Sequence, residues 1–159
     1  AHPLTPVSEL QGFQYLYLPN RHRLPLREMR NRLHQLGLNC ARILDIHYPA
    51  HGTVAILFYN DCLEEAKVLT IKRGIQIKGD FNPLHHSVVQ NPDFKDKDDE
   101  TRTIEAYRLN NQRALPTIAY LRAPINKAVT RDFYKRQWIT QEQIDLLSND
   151  DRQENFNAD

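Results

Sequence analysis

The spacing of apolar and polar positions changes along the chain, and the change divides it near Pro83. Phe13-Gln14-Tyr15-Leu16-Tyr17-Leu18 puts aromatics on one parity and leucines on the other, then stops at Pro19-Asn20. A period of two bounded by turn residues predicts a strand with two chemically different faces. After the short stretch 21–24, Pro25 suits a first helical position, and Leu26, Met29, Leu33 and Leu36 recur at helical spacing until Gly37. This is the pattern of an amphipathic helix with an arginine-rich outer face. Two β-rich runs, 41–48 and 53–59, flank the turn residues Pro49-Ala50-His51-Gly52 and predict a hairpin. Asn60 offers an N-cap to a second helix, with Leu63, Ala66 and Leu69 inward and Gly74 as its stop. Ile75-Gln76-Ile77-Lys78 then alternates once more as a short strand.

That order predicts an α+β fold, a ferredoxin-like βαββαβ sandwich with two helices on one face of a four-stranded sheet. Leu16, Leu18, Val54, Ile56 and Phe58 are expected beneath the helices, because a slip of one residue would exchange the faces. Tyr15, Tyr17, Thr53, Ala55 and Leu57 then point the other way. Past Pro83 the pattern is helical. A charged run covers 95–100, a broad helical pattern covers 103–120 with a break or kink expected at Pro116, and Pro124 can begin a further helix. Thr140 and Gln143 have the spacing of a capping box ahead of Ile144 and Leu147. The organisation expected is a flexible N-terminus over 1–11, the α+β domain over 12–83, a C-terminal helical extension over 84–148, and a polar, disordered tail over 149–159.

Leu16-Tyr17-Leu18-Pro19-Asn20 resembles the RNP2 motif of the RNA recognition motif (RRM) family, whose topology is also the one predicted here. The resemblance implies that Tyr17 stacks a base, with Tyr15 on the same face and Asn20 closing the motif. The companion motif, RNP1, matches His51-Gly52-Thr53-Val54-Ala55-Ile56-Leu57-Phe58 at Gly52, Ile56 and Phe58, but Thr53 and Ala55 stand where its outward aromatics belong. Two readings of this face follow. It is a ligand platform, or the helices of the second half cross it and bury its aromatics as core.

Charge distinguishes the two halves although the total does not: 21 Lys and Arg against 20 Asp and Glu leave +1. Before residue 84 there are ten basic and seven acidic residues, hence +3, and after it eleven and thirteen, hence −2. Arg21, Arg23, Arg27, Arg30, Arg32 and Arg42 have only Glu28 and Asp45 as local acids. Guanidinium forks suit phosphate oxygens, so these six are the candidate backbone contacts of a nucleic acid; a merely solvated helix face explains them too. His85-His86 near Asp80 is the only metal-like pair, and adjacent histidines are expected to point apart with no third ligand spaced for them, so no metal or cofactor is expected. No GxSxG, Walker, HExxH or GxGxxG pattern occurs, and no enzymatic activity is expected. Two cysteines, Cys40 and Cys62, without metal spacing point to a reducing compartment, cytoplasmic or nuclear. With no run of about 18 apolar residues, no membrane partner is expected.

More widely, Arg23-Leu24-Pro25-Leu26, Leu36-Gly37, Ala41-Arg42-Ile43-Leu44-Asp45-Ile46, His51-Gly52-Thr53-Val54-Ala55 and Asp80-Phe81-Asn82-Pro83 look similar to a Gag-like domain of LINE-type retrotransposons of early-diverging fungi. That resemblance, over residues 12–147, implies a protein that coats or chaperones an element's RNA, with zinc knuckles elsewhere in the parent chain. The function expected is therefore binding of single-stranded RNA, or single-stranded DNA, through an aromatic sheet face and an arginine-rich edge. The alternative is a protein–protein interaction or self-association domain of pseudo-RRM fold, with a homo-oligomer or another protein as partner.

Overall fold

A computed structural model describes residues 12–21, 24–38 and 43–157. Arg23, Arg42, His22, Cys40 and the N-terminal stretch 1–11 lie outside the described residues. The chain divides into two compact units, 1–106 and 107–159.

In the first unit the strands β1 (Phe13–Pro19), β2 (Ile43–Ala50) and β3 (Thr53–Tyr59) form an antiparallel sheet in the order β1-β3-β2. Helix α1 (Leu26–Gln35) follows β1, and helix α2 (Asn60–Lys72) follows β3. The pairing sets Leu16 opposite Ile56 and Leu18 opposite Val54. These four and Phe58 join Ile43 and Ile46 of β2, Met29 and Leu33 of α1, and Leu63 and Ala66 of α2 in one buried cluster. Each such aliphatic side chain contributes about 1.5–3 kcal/mol of transfer free energy. A slipped register would forfeit several at once, so the alternation in the sequence selects this face.

The expected ferredoxin-like sandwich is corrected here: it needs four strands, and the sheet has three. Ile75 and Ile77 do pack against the core cluster. Yet the stretch 75–78 sits between Gly74, where the chain turns out of α2 at φ +73°, and a turn at Gly79-Asp80. Four residues extend at most about 13 Å. Among the described residues a single backbone hydrogen bond, from the Lys78 N–H to the Tyr17 carbonyl at 2.9 Å, ties this stretch to β1. One bond does not make a ladder.

The helix ends follow local rules with three departures. Gly37, at φ +96°, ends α1 as expected, with its N–H bonded to the His34 carbonyl and the Leu38 N–H to that of Leu33. Pro25 precedes α1 as its cap rather than entering it. Asn60 enters α2 as its first residue, Tyr59 occupies the cap position, and the Asn60 Oδ1 is buried without a hydrogen bond. Pro116 does not end helix α3, which runs continuously over Asp99–Tyr120. The proline leaves only the Gln112 carbonyl without its helical donor.

In the second unit the remainder of α3 is followed by α4 (Ile125–Lys135) and α5 (Gln141–Asn157). The capping box forms as the spacing predicts: Thr140 Oγ1 accepts from the Gln143 N–H at 3.2 Å, and Gln143 Oε1 accepts from the Thr140 N–H at 3.1 Å. Gln143 also exchanges two hydrogen bonds with Asn111 of α3, at 2.8 and 2.9 Å. No helix among the described residues is long and apolar enough to cross a membrane.

Candidate nucleic-acid interface

The face of the sheet away from α1 and α2 carries Phe13, Tyr15 and Tyr17 of β1, Thr53, Ala55 and Leu57 of β3, and Asp45 and His47 of β2. It is not an open platform. Thr53, Ala55 and Leu57 are 1%, 0% and 0% exposed, so the two positions that carry stacking aromatics in the RRM family are sealed as well as substituted. Three contacts within this unit lie over it. The Lys78 Nζ donates to Thr53 Oγ1 at 2.6 Å, the Phe81 ring lies on Tyr17, and Gln90 Oε1 accepts from the His51 N–H at 2.7 Å.

Tyr15 is 8% exposed, and its hydroxyl donates across the central strand to Asp45 Oδ2 at 2.7 Å. The same carboxylate oxygen meets His47 Nδ1 at 2.8 Å, and the His47 ring stands edge-on to Tyr15 with centroids 5.0 Å apart. A phenol and an imidazole thus satisfy a half-buried carboxylate that would otherwise carry a desolvation penalty. Tyr15 is spent on closing the face.

Tyr17 is different. It is half-buried, stacks along the strand with Tyr15 at 6.0 Å, and meets Phe81 with centroids 4.6 Å apart and planes tilted by 41°. The Lys78 ammonium lies 5.9 Å from the Phe81 ring centre, within reach of a cation–π attraction. Beside this pair opens a groove of about 410 Å³, lined by Pro19 and residues 76–81. Phe81 and Lys78 are not among the binding residues that the sequence predicts. Their signal is weak there, because the aromatic sits in a turn and the lysine in a stretch patterned like a strand.

Asn20, half-buried at the end of β1, is held to the hairpin turn by its N–H, which donates to the Gly52 carbonyl at 2.9 Å. Arg21 follows it and is exposed. The Tyr48 hydroxyl donates to the Leu24 carbonyl at 2.7 Å, which brings the start of α1 to the hairpin end of β2. Arg27 and Arg32 are exposed, and Arg30 is half-buried and engaged with a neighbour. At 3.6 residues per turn, Arg30 lies about 60° around the helix from Arg27, and Arg32 about 140° on the opposite side. The arginines therefore flank α1 on two sides instead of forming one stripe. Arg21 and Arg27 share the end of the sheet that carries Asn20.

The rings of His85 and His86 lie 4.1 Å apart, together rather than pointing apart as expected. His85 Nδ1 engages Ser87, and His86 Nε2 lies 3.5 Å from Asp99. Among the described residues no three His, Cys, Asp or Glu side chains gather as metal ligands would. No family model, no curated protein and no solved structure matches the chain.

Proposed function

We propose that the chain is a binding module for single-stranded nucleic acid, RNA in the first place, that takes one base at the Tyr17–Phe81 rim and acts without catalysis. The observation that supports this reading is the half-buried Tyr17–Phe81 pair beside Lys78 at the mouth of an open groove. An aromatic pair with a neighbouring cation suits a base and its phosphate together. Asp80 also lines the groove and repels phosphate while accepting from a base-edge N–H, which sets the orientation with base inward and backbone outward. Lys78, Arg21 and Arg27 meet flanking phosphates, while Arg30 and Arg32 add to the general positive field. This is a narrower site than a full aromatic sheet, since Tyr15, Thr53 and Ala55 are buried.

The test is a fluorescence-anisotropy titration of the full chain with a labelled RNA of about ten nucleotides at several salt concentrations, a length within the usual site sizes. Tyr17→Ala and Phe81→Ala are each expected to weaken binding by about 1–3 kcal/mol with an unchanged salt slope. Arg27→Ala is expected to lower the slope by about one unit. Equal affinities and slopes for the wild type and all three variants would overturn the reading.

A further inference from the structure

The helical unit carries a second groove, of about 350 Å³, built wholly from its own three helices. Helix α4 turns Val129 and Phe133 inward, at 0% and 1% exposure. Its neighbouring stripe, Asn126, Lys127, Thr130, Arg131 and Tyr134, lines the groove. Helix α5 adds Ile144 and Leu147, and Ile118 of α3 forms part of the apolar floor. Tyr134 remains 47% exposed, a large ring left to water at the edge of a concave apolar surface.

The charge of the lining is one-sided. It holds Lys127 and Arg131 and no carboxylate. Among the described residues neither cation makes an ion pair, and both are exposed. Asp132 takes the Arg136 Nε at 2.9 Å, and on α5 Asp145 accepts from Gln141 Nε2 at 3.0 Å while Glu142 is exposed and outside the lining. The two cations stand four residues apart on one helix, a rise of about 6 Å. Carboxylates at i and i+4 of a second helix laid along α4 have the same rise.

We infer that this groove docks an acidic amphipathic helix of a partner protein, its apolar residues entering over Ile118, Ile144 and Leu147 and its carboxylates pairing with Lys127 and Arg131. Apolar anchors give the contact its area, and the charges set register and choice of partner. The groove shares no lining residue with the nucleic-acid rim, and the inference does not rest on that reading.

The probe is a labelled peptide of about 15 residues with leucines at i, i+3, i+4 and i+7 and glutamates on the flanks, a length at which a lone helix is marginal in water and is completed on docking. Its control carries lysines in place of the glutamates. With the full chain, the glutamate peptide is expected to bind at least about tenfold more tightly than the lysine peptide and to weaken as salt rises. Arg131→Glu, an exposed position whose folding is checked by circular dichroism, leaves Lys127 facing one carboxylate and is expected to abolish that preference and to leave RNA affinity unchanged. Equal binding of the two peptides, or binding of neither, would overturn the inference. So would light scattering that shows a dimer dissolved by Arg131→Glu, which would give the groove to a second copy, or a loss of RNA affinity in that variant, which would give its cations to nucleic acid.

Discussion

The two faces of one three-stranded sheet are closed in different ways. Under α1 and α2, Leu16, Leu18, Val54, Ile56 and Phe58 meet other aliphatic and thioether side chains, and the seal is non-directional. On the opposite face the closure is directional. Tyr15 spans the sheet to Asp45, Lys78 reaches Thr53, and the rings of Tyr15, Tyr17 and Phe81 succeed one another toward the end of β1. A face sealed by shape alone has no preferred place to stop. A face sealed by a series of specific contacts is only as continuous as those contacts, and here the half-buried Phe81 ring that meets Tyr17 lines an open groove. The candidate site is the unfinished margin of a core.

The strongest test of this contrast removes one side chain from each face. Ile56 and Leu57 are adjacent, both 0% exposed, and point in opposite directions. Ile56→Ala and Leu57→Ala are each expected to destabilise the chain by about 2–5 kcal/mol in urea unfolding. A loss below about 1 kcal/mol for Leu57→Ala alone would show that the ring face is open in solution. Next in size is Tyr15→Phe, which keeps the ring and deletes the bond to Asp45. A cost of about 1–2 kcal/mol is expected, because the carboxylate loses a donor while remaining half-buried. An unchanged midpoint would make that bond incidental.

The smallest effect lies on neither face. Asp98 Oδ1 accepts from the Thr101 N–H at 2.8 Å at the start of α3, and hydrogen bonds from Thr101 hold its carboxyl below the ordinary 3.8. A carboxyl lowered in the folded state stabilises above its unfolded value and ceases to do so as the pH falls through its folded one. Asp98→Ala should therefore lower Tm at neutral pH, and the gap from wild type should close as the pH drops below about 3.8. A gap that persists unchanged in acid would remove the cap from the account.

The alternation of β1 was enough to place Leu16 and Leu18 inward, and glycine spacing was enough to end α1 and α2. The four-residue alternation at 75–78 was not enough to make a strand, because alternation records which side chains share a face and says nothing about how many backbone partners the segment reaches. The closure of the second face had a signal in β3. Val54-Ala55-Ile56-Leu57-Phe58 is an unbroken apolar run, as expected of a strand covered on both sides, whereas β1 puts leucines on the aliphatic face and aromatics on the other. Phe81 was out of reach for another reason: its partner Tyr17 is 64 residues earlier, and no local spacing encodes that meeting. The resemblance to the RRM family pointed to Tyr17, while the rest of its aromatic platform is buried here.

Among the described residues one backbone bond, from Lys78 to Tyr17, joins the stretch 75–78 to β1. Residues 76–81 form one bank of the groove, and apart from that backbone bond the bank is held to the sheet by side chains alone: Lys78 on Thr53, Phe81 on Tyr17 and Ile77 on the core. Its one amide bond stands outside any ladder, so the amide of Lys78 is expected to exchange with solvent deuterium sooner than those of the central strand β3.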